Sequence, residues 1–170
     1  MKRICLIIDA GYFFNVQKKY GSFDVLKFKH FIEDKLDGIV TRGYYVTTLD
    51  GPNQQSYHTW LKSVTGPKLE VVTKSVKPKM CDKCGNSVYV EKGVDIAIIT
   101  LAIKHAEKNN YDTLVLVNGD ADLLDALVYL RDDLGKEIVI VGDLDSISTD
   151  IQAMSDQVML VGEHINEFAK

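Results

Sequence analysis

The chain has 170 residues, 46% of them hydrophobic and 26% charged, with a formal net charge of −4. This is the usage of an ordinary soluble globular chain, large enough to bury a core without disulfides, and no apolar run approaches the ~20 residues that span a bilayer. Three cysteines cannot all pair within the chain, so a disulfide framework is not expected, the expected location is cytoplasmic, and the net charge offers no overall attraction to nucleic acid.

Residues 3–9, RICLIID, form a short apolar run rich in isoleucine, the pattern of a strand buried on both faces. The apolar stretch behind the basic start breaks at Asp9, too soon for a signal-peptide core. Residues 12–20 and 25–36 carry apolar side chains at helical spacing, the second preceded by Ser22 and Asp24 as caps. Residues 38–50 are β-branched and aromatic and read as a strand, 53–64 as a helix, and 68–76 as a strand.

Residues 77–93, KPKMCDKCGNSVYVEKG, read as one irregular insertion. A helix is expected over 94–109, a strand over 112–119, a helix over 120–135 closed by Gly135, and a strand over 136–142. A short helix at 146–156 and a last strand at 157–162 complete the pattern. Strands alternating with helices imply right-handed crossovers and a mostly parallel sheet covered on both faces. No repeat or linker divides the chain, so one domain over 1–170 is expected.

In such a sheet, ligands bind beyond the carboxyl ends of the strands, where the strand order reverses. Asp9 ends the first strand, Asp120 and Asp122 follow LVLV, Asp143 and Asp145 follow EIVIVG, and Asp95 opens a helix. Each reads singly as a helix cap that satisfies free N–H groups and suits the helix dipole. Asp9 fits that reading least, because a carboxylate behind a buried apolar run is costly unless paired or metal-bound. Several converging carboxylates repel one another, and a divalent cation is the usual remedy. Hard oxygen ligands favour Mg²⁺ or Mn²⁺. Such ions serve phosphoryl chemistry by activating water and neutralising charge on the phosphate, and they restore locally the charge the carboxylates remove.

The stretches IIDAGYF, EKGVDIAIITLAI, VNGDADLLDALVYLRDDLGKEIVIVG and SISTDIQAMSDQVMLV resemble, in order, the landmarks of NYN domains. More narrowly they resemble the LabA-like group within the PIN-like nuclease superfamily. The resemblance runs over nearly the whole chain, and the KGVD and GDxD elements are its most specific parts. It implies a PIN-like, Rossmann-like three-layer α/β/α fold with a mostly parallel sheet. It also implies a carboxylate cluster holding Mg²⁺ or Mn²⁺ for endonucleolytic hydrolysis of single-stranded RNA, leaving a 5′-phosphate and a 3′-hydroxyl.

Carried over by position, Asp9 matches the first-strand aspartate, Asp95 the one in KGVD, and Asp120 and Asp122 the GDxD pair. These four are the candidate catalytic and metal-holding residues, with Asp145 and Asp156 in reserve. Lys92 and Tyr12 are candidate RNA contacts, Lys92 reading equally well as a solvated loop lysine. Two departures stand out. Many NYN domains have asparagine where this chain has Tyr12, and serine or threonine where it has Asn118.

Within the insertion, MCDKCGN places Cys81 and Cys84 in a CxxC followed by glycine, the outline of a zinc knuckle. A structural Zn²⁺ takes four ligands, so the same pair from a second copy would complete a Cys₄ site in a homodimer, or His58 or His30 would complete it within one chain. A vestigial loop and a redox dithiol are the other readings, the latter without a thioredoxin-like strand before it. Cys5, in the first strand, reads as a buried apolar residue. Lys68, Lys74, Lys77, Lys79 and Lys83, with Tyr89 and Trp60 nearby, read either as a single-strand track or as a solvated face. His105 and His164 read as surface residues.

The leading expectation is a metal-dependent ribonuclease. A catalytically silent RNA-binding or regulatory module with the same fold is the alternative. An aspartyl-nucleophile phosphatase is disfavoured because Gly11 stands where such enzymes place a second aspartate.

Overall fold

The computed structural model describes residues 1–48, 54–91 and 93–170. In chain order the strands are β1 (Lys2–Asp9), β2 (Gly38–Thr48), β3 (Glu70–Lys74), β4 (Val76–Met80), β5 (Ser87–Glu91), β6 (Thr113–Val117), β7 (Glu137–Gly142) and β8 (Gln157–Leu160). The helices are α1 (Ala10–Tyr20), α2 (Val25–Leu36), α3 (Gln55–Lys62), α4 (Val94–Glu107), α5 (Leu124–Asp132), α6 (Thr149–Met154) and α7 (Val161–Phe168).

Six strands form one sheet in the order β3-β2-β1-β6-β7-β8. Every pairing in it is parallel. Helices cover both faces, which makes the three-layer α/β/α sandwich expected of the PIN-like resemblance. The apolar run of β1 explains why. Ile4, Leu6 and Ile8 enter one core with Phe13, Phe28 and Phe168. Cys5 and Ile7 point the other way, into a second core with Ile98, Leu127 and Ile151. A strand that must satisfy two cores cannot alternate polar and apolar residues.

Helix starts follow their caps. The Asp9 carboxylate accepts from the Tyr12 N–H at 3.1 Å and starts α1. Asp24 accepts from Leu26 and Lys27 at 2.9 and 3.1 Å and starts α2. The expected helix over 120–135 opens instead with a 3₁₀ turn, Ala121–Leu123, before α5.

Four expectations need correction. The insertion expected over 77–93 is not irregular throughout, since within it β4 and β5 pair antiparallel as a two-stranded sheet of their own. Pro78 suggested a loop, but proline is tolerated in an edge strand. Second, β3 and β4 divide the single strand expected over 68–76. Third, the expected last strand is followed by α7, unread in the sequence because the apolar residues of β8 run into the helix with no side-chain cap between them. Fourth, His105 is buried, its Nε2 2.6 Å from the Tyr44 hydroxyl and its Nδ1 2.9 Å from the Asn110 amide. The polar C-terminal half of α4 concealed that this residue faces the sheet.

Phe168, on α7, is the hub of an aromatic cluster, with ring centroids 5.3, 5.2 and 5.2 Å from Phe23, Phe28 and Phe31. Replacing it by alanine is expected to cost about 3–5 kcal/mol, the range for a buried phenylalanine. Phe14→Ala, at a site 60% exposed, should stay within about 0.5 kcal/mol. Urea unfolding of both variants beside wild type measures the contrast.

Candidate active site

From β1 the sheet grows outward through β2 and β3, then returns to the other side of β1 through β6, β7 and β8. The order therefore reverses between β1 and β6, and a crevice is expected beyond their carboxyl ends. A cleft of about 900 Å³ lies there, lined among others by Asp9, Asp95, Asn118, Asp120, Asp143 and Asp145.

Asp9 is only 8% exposed, and such a carboxylate needs partners. Asn118 donates from Nδ2 to Asp9 Oδ2 at 2.8 Å, and the Tyr12 N–H donates to Oδ1. The other end of the same amide, Asn118 Oδ1, accepts from the Asp120 N–H at 2.7 Å. Asp120 in turn accepts from the Asp122 N–H at 3.0 Å. One continuous relay thus ties the end of β1 to the GDxD turn after β6. Asn118 is the member that sequence reasoning listed only as a departure from the family pattern. Its amide supplies a separate donor and acceptor at opposite ends, which the relay requires.

Glycine is demanded in that turn by close approach. A Cβ on Gly119 would fall 2.6 Å from both Ile147 Cα and Ser146 O. A Cβ on Gly142 would collide with the Tyr12 hydroxyl. That hydroxyl sits 2.6 Å from Ser146 Oγ and accepts from the Asp143 N–H at 3.3 Å. Tyr12 is therefore a brace between α1 and the loop after β7, and burial pushes its phenol pKa up.

The predicted residues divide as follows. Asp9, Asp95 and Asp120 line the cleft, with Asp95 in the first turn of α4. Asp122 is exposed and does not line it. Asp145 lines it and is salt-bridged to Lys19 at 3.1 Å. Asp156 lies at the opposite edge of the sheet, accepting from the Ile138 N–H near the start of β7 at 2.7 Å. Lys92 lies outside the described residues.

Lys19 and Tyr20 were not singled out in the sequence. They lie at the end of a helix whose pattern marked only its apolar face. Lys19 Nζ stands 2.9 and 3.0 Å from the two Asp143 oxygens, and the Tyr20 hydroxyl donates to Asp143 as well.

As for metals, no three His, Cys, Asp or Glu side chains among the described residues are gathered into a ready-made site. Of the five aspartates that line the cleft among the described residues, Asp143 and Asp145 are paired with Lys19, and Asp9, Asp95 and Asp120 are the other three. That donor set suits an ion that keeps much of its water and is held by one or two carboxylates plus substrate oxygens, the habit of Mg²⁺. It does not suit a closed protein cage. Cys81 is half-buried, Cys84 is exposed, and both are free thiols. Neither His30 nor His58 joins them in a three-ligand group, so the site is not completed within one chain among the described residues. Trp60 stacks on Tyr57 at 5.8 Å, so that ring is already engaged.

The Tyr20 hydroxyl and the Lys19 ammonium hold the Asp143 carboxyl below its ordinary range. A depressed folded pKa gives stability that is complete above the unfolded value and lost as pH falls through the folded one. Wild type should therefore exceed Asp143→Asn in stability at about pH 7, and the gap should narrow below about pH 4. Urea midpoints across that range test the sign, and a constant gap would contradict it.

The sequence profile of the NYN domain matches residues 3–161. An uncharacterized protein of Methanocaldococcus jannaschii is 26% identical over 161 residues, covering 95% of this chain. The chain spans 56% of that relative's length. The crystal structure of a protein of unknown function from Vibrio parahaemolyticus superimposes with a TM-score of 0.71 at 20% identity, covering 94% of this chain and 93% of that one. That likeness is one of fold, and the narrower LabA-like resemblance is compatible with it. No helix among the described residues is long and apolar enough to cross a membrane. The strand order, the cleft at its reversal and the profile match over nearly the whole chain agree: the protein belongs to the NYN domain family, within the PIN-like nuclease superfamily.

Proposed function

We propose that this domain is a metal-dependent endoribonuclease that hydrolyses phosphodiester bonds in single-stranded RNA. The observation that carries the reading is the meeting of Asp9, Asp95 and Asp120 in one cleft at the reversal of strand order. Asp9, Asp95 and Asp120 would hold the ion, with Asp122 as an outer member reached through the Asp120 carboxylate. Mg²⁺ or Mn²⁺ supplies an activated water and charge neutralisation at the phosphate when bound.

The chain's own residues do the positioning. Asn118 and the Tyr12 N–H each donate one hydrogen bond to Asp9. Asn118 also fixes Asp120 through its backbone, so the two carboxylates are set relative to each other before substrate arrives. Lys19, held at the cleft by Asp143 and Asp145, offers a cation to a substrate phosphate, and Phe14, also on the cleft lining, offers an exposed ring to a base. Water is the attacking group, so the expected products carry a 5′-phosphate and a 3′-hydroxyl.

The test is cleavage of end-labelled single-stranded RNA with Mg²⁺ or Mn²⁺. Wild type should cut, and chelator, Asp9→Asn and Asp120→Asn should each abolish cutting. Asn118→Ala should lower the rate about 10–100-fold, the usual cost of losing a residue that orients metal ligands. Binding without cutting by wild type under both ions would instead establish the catalytically silent module.

A further inference from the structure

The hairpin of β4 and β5 is unexplained by the cleft chemistry. Its turn is tightly made. The Cys81 N–H donates to Asn86 O at 2.9 Å, and the Gly85 N–H donates to Cys81 O at 2.8 Å. Gly85 stands at φ +70°, a conformation that favours glycine. The turn holds Cys81 and Cys84 three residues apart at one end of the hairpin, Cys81 half-buried and Cys84 exposed. Thiolate is the form of cysteine that binds metal. The two sulfurs are not joined in a disulfide.

Such a turn is half of a tetrahedral zinc site. Structural zinc takes four ligands, one turn supplies two, and no further His, Cys, Asp or Glu among the described residues joins them. Cys5, the remaining cysteine, is locked in the centre of the sheet. The hairpin is a sheet of its own, and two strands alone are marginally stable in water. Met80, next to Cys81, is a large apolar side chain that is 67% exposed, surface that a second copy seated at the turn would cover. A redox role fits less well, because the pair lies in a hairpin turn rather than at a helix N-terminus.

We propose that one Zn²⁺ is bound between two copies of this chain, with Cys81 and Cys84 of each copy supplying its four thiolates. A two-fold axis through the ion makes the contact isologous and self-limiting, so a closed dimer forms rather than a filament. The ion would also anchor the strand that runs into the segment bearing Asp95, four residues beyond the end of β5. This inference stands apart from the nuclease reading, and its readouts involve no cleavage.

The experiment combines metal analysis with sedimentation of the whole chain. Wild type should carry about one zinc per two chains and sediment as a dimer. A chelator should release the metal and give monomers, and added Zn²⁺ should restore the dimer. Co²⁺ in place of zinc should show the intense sulfur-to-metal absorption of a tetrathiolate site. Cys81→Ser with Cys84→Ser should be a zinc-free monomer. Far-UV circular dichroism checks its fold, and the chelator arm on wild type tests the same point without any mutation. Zinc on a monomer, a dimer indifferent to chelator, or a metal-free chain with a Cys81–Cys84 disulfide would each overturn the proposal.

Discussion

The Asn118 side chain is the interaction on which the cleft depends. Its amide is 3% exposed, and each end has a partner from a different part of the site: the Asp9 carboxylate and the Asp120 N–H. A buried amide left with one end unpaired costs about 1–3 kcal/mol, so the two bonds favour forming together. In this way the end of β1 and the turn after β6, 109 residues apart, are held in one fixed relation. Preset carboxylates need little reorganisation when a charged substrate arrives, which is the electrostatic advantage of a built site.

That relation is possible because the sheet places β1 between β2 and β6. A parallel sheet aligns all its carboxyl ends along one edge, and reversal of strand order at β1 sends the neighbouring connections to opposite faces. The crevice follows from topology, and the aspartates line it with the carboxylates of the proposed site. On the far lip, Tyr12 and Lys19 of α1 reach across to Ser146, Asp143 and Asp145. The first helix is thereby tied both to the strand it follows and to the loop after β7. Close contacts at Gly119 and Gly142 leave no room for a Cβ between these parts.

How much was legible in the sequence varied with the range of the interaction involved. The strand at 3–9 was plain because burial on both faces demands a continuous apolar run. The cap at Asp24 was plain because a cap bonds only two or three residues ahead, whereas Asp9 fitted a capping role least and yet starts α1. The IIDAGYF, KGVD and GDxD elements pointed to Asp9, Asp95, Asp120 and Asp122, of which the fold brings the first three to line one cleft. The pairing of Lys19 with Asp143, 124 residues away, left no local trace. Neither did the burial of His105, whose neighbours in sequence are polar while its neighbour in space is Tyr44.

By itself, then, the sequence determined the alternating strands and helices of the main sheet, but neither the β4–β5 hairpin nor α7. Helical and strand periodicity, capping and glycine placement act over a few residues and need no knowledge of the rest of the chain. It also determined which residue types were available for chemistry: carboxylates at strand ends and one pair of closely spaced thiols. Tertiary structure alone decided which carboxylates meet. It turned Asp9, Asp95 and Asp120 into the cleft, left Asp122 outside its lining, and sent Asp156 to the opposite edge. The reason is that a side chain's destination depends on strand order and on which neighbour fills its hydrogen bonds. Both are set by packing between segments far apart in the chain.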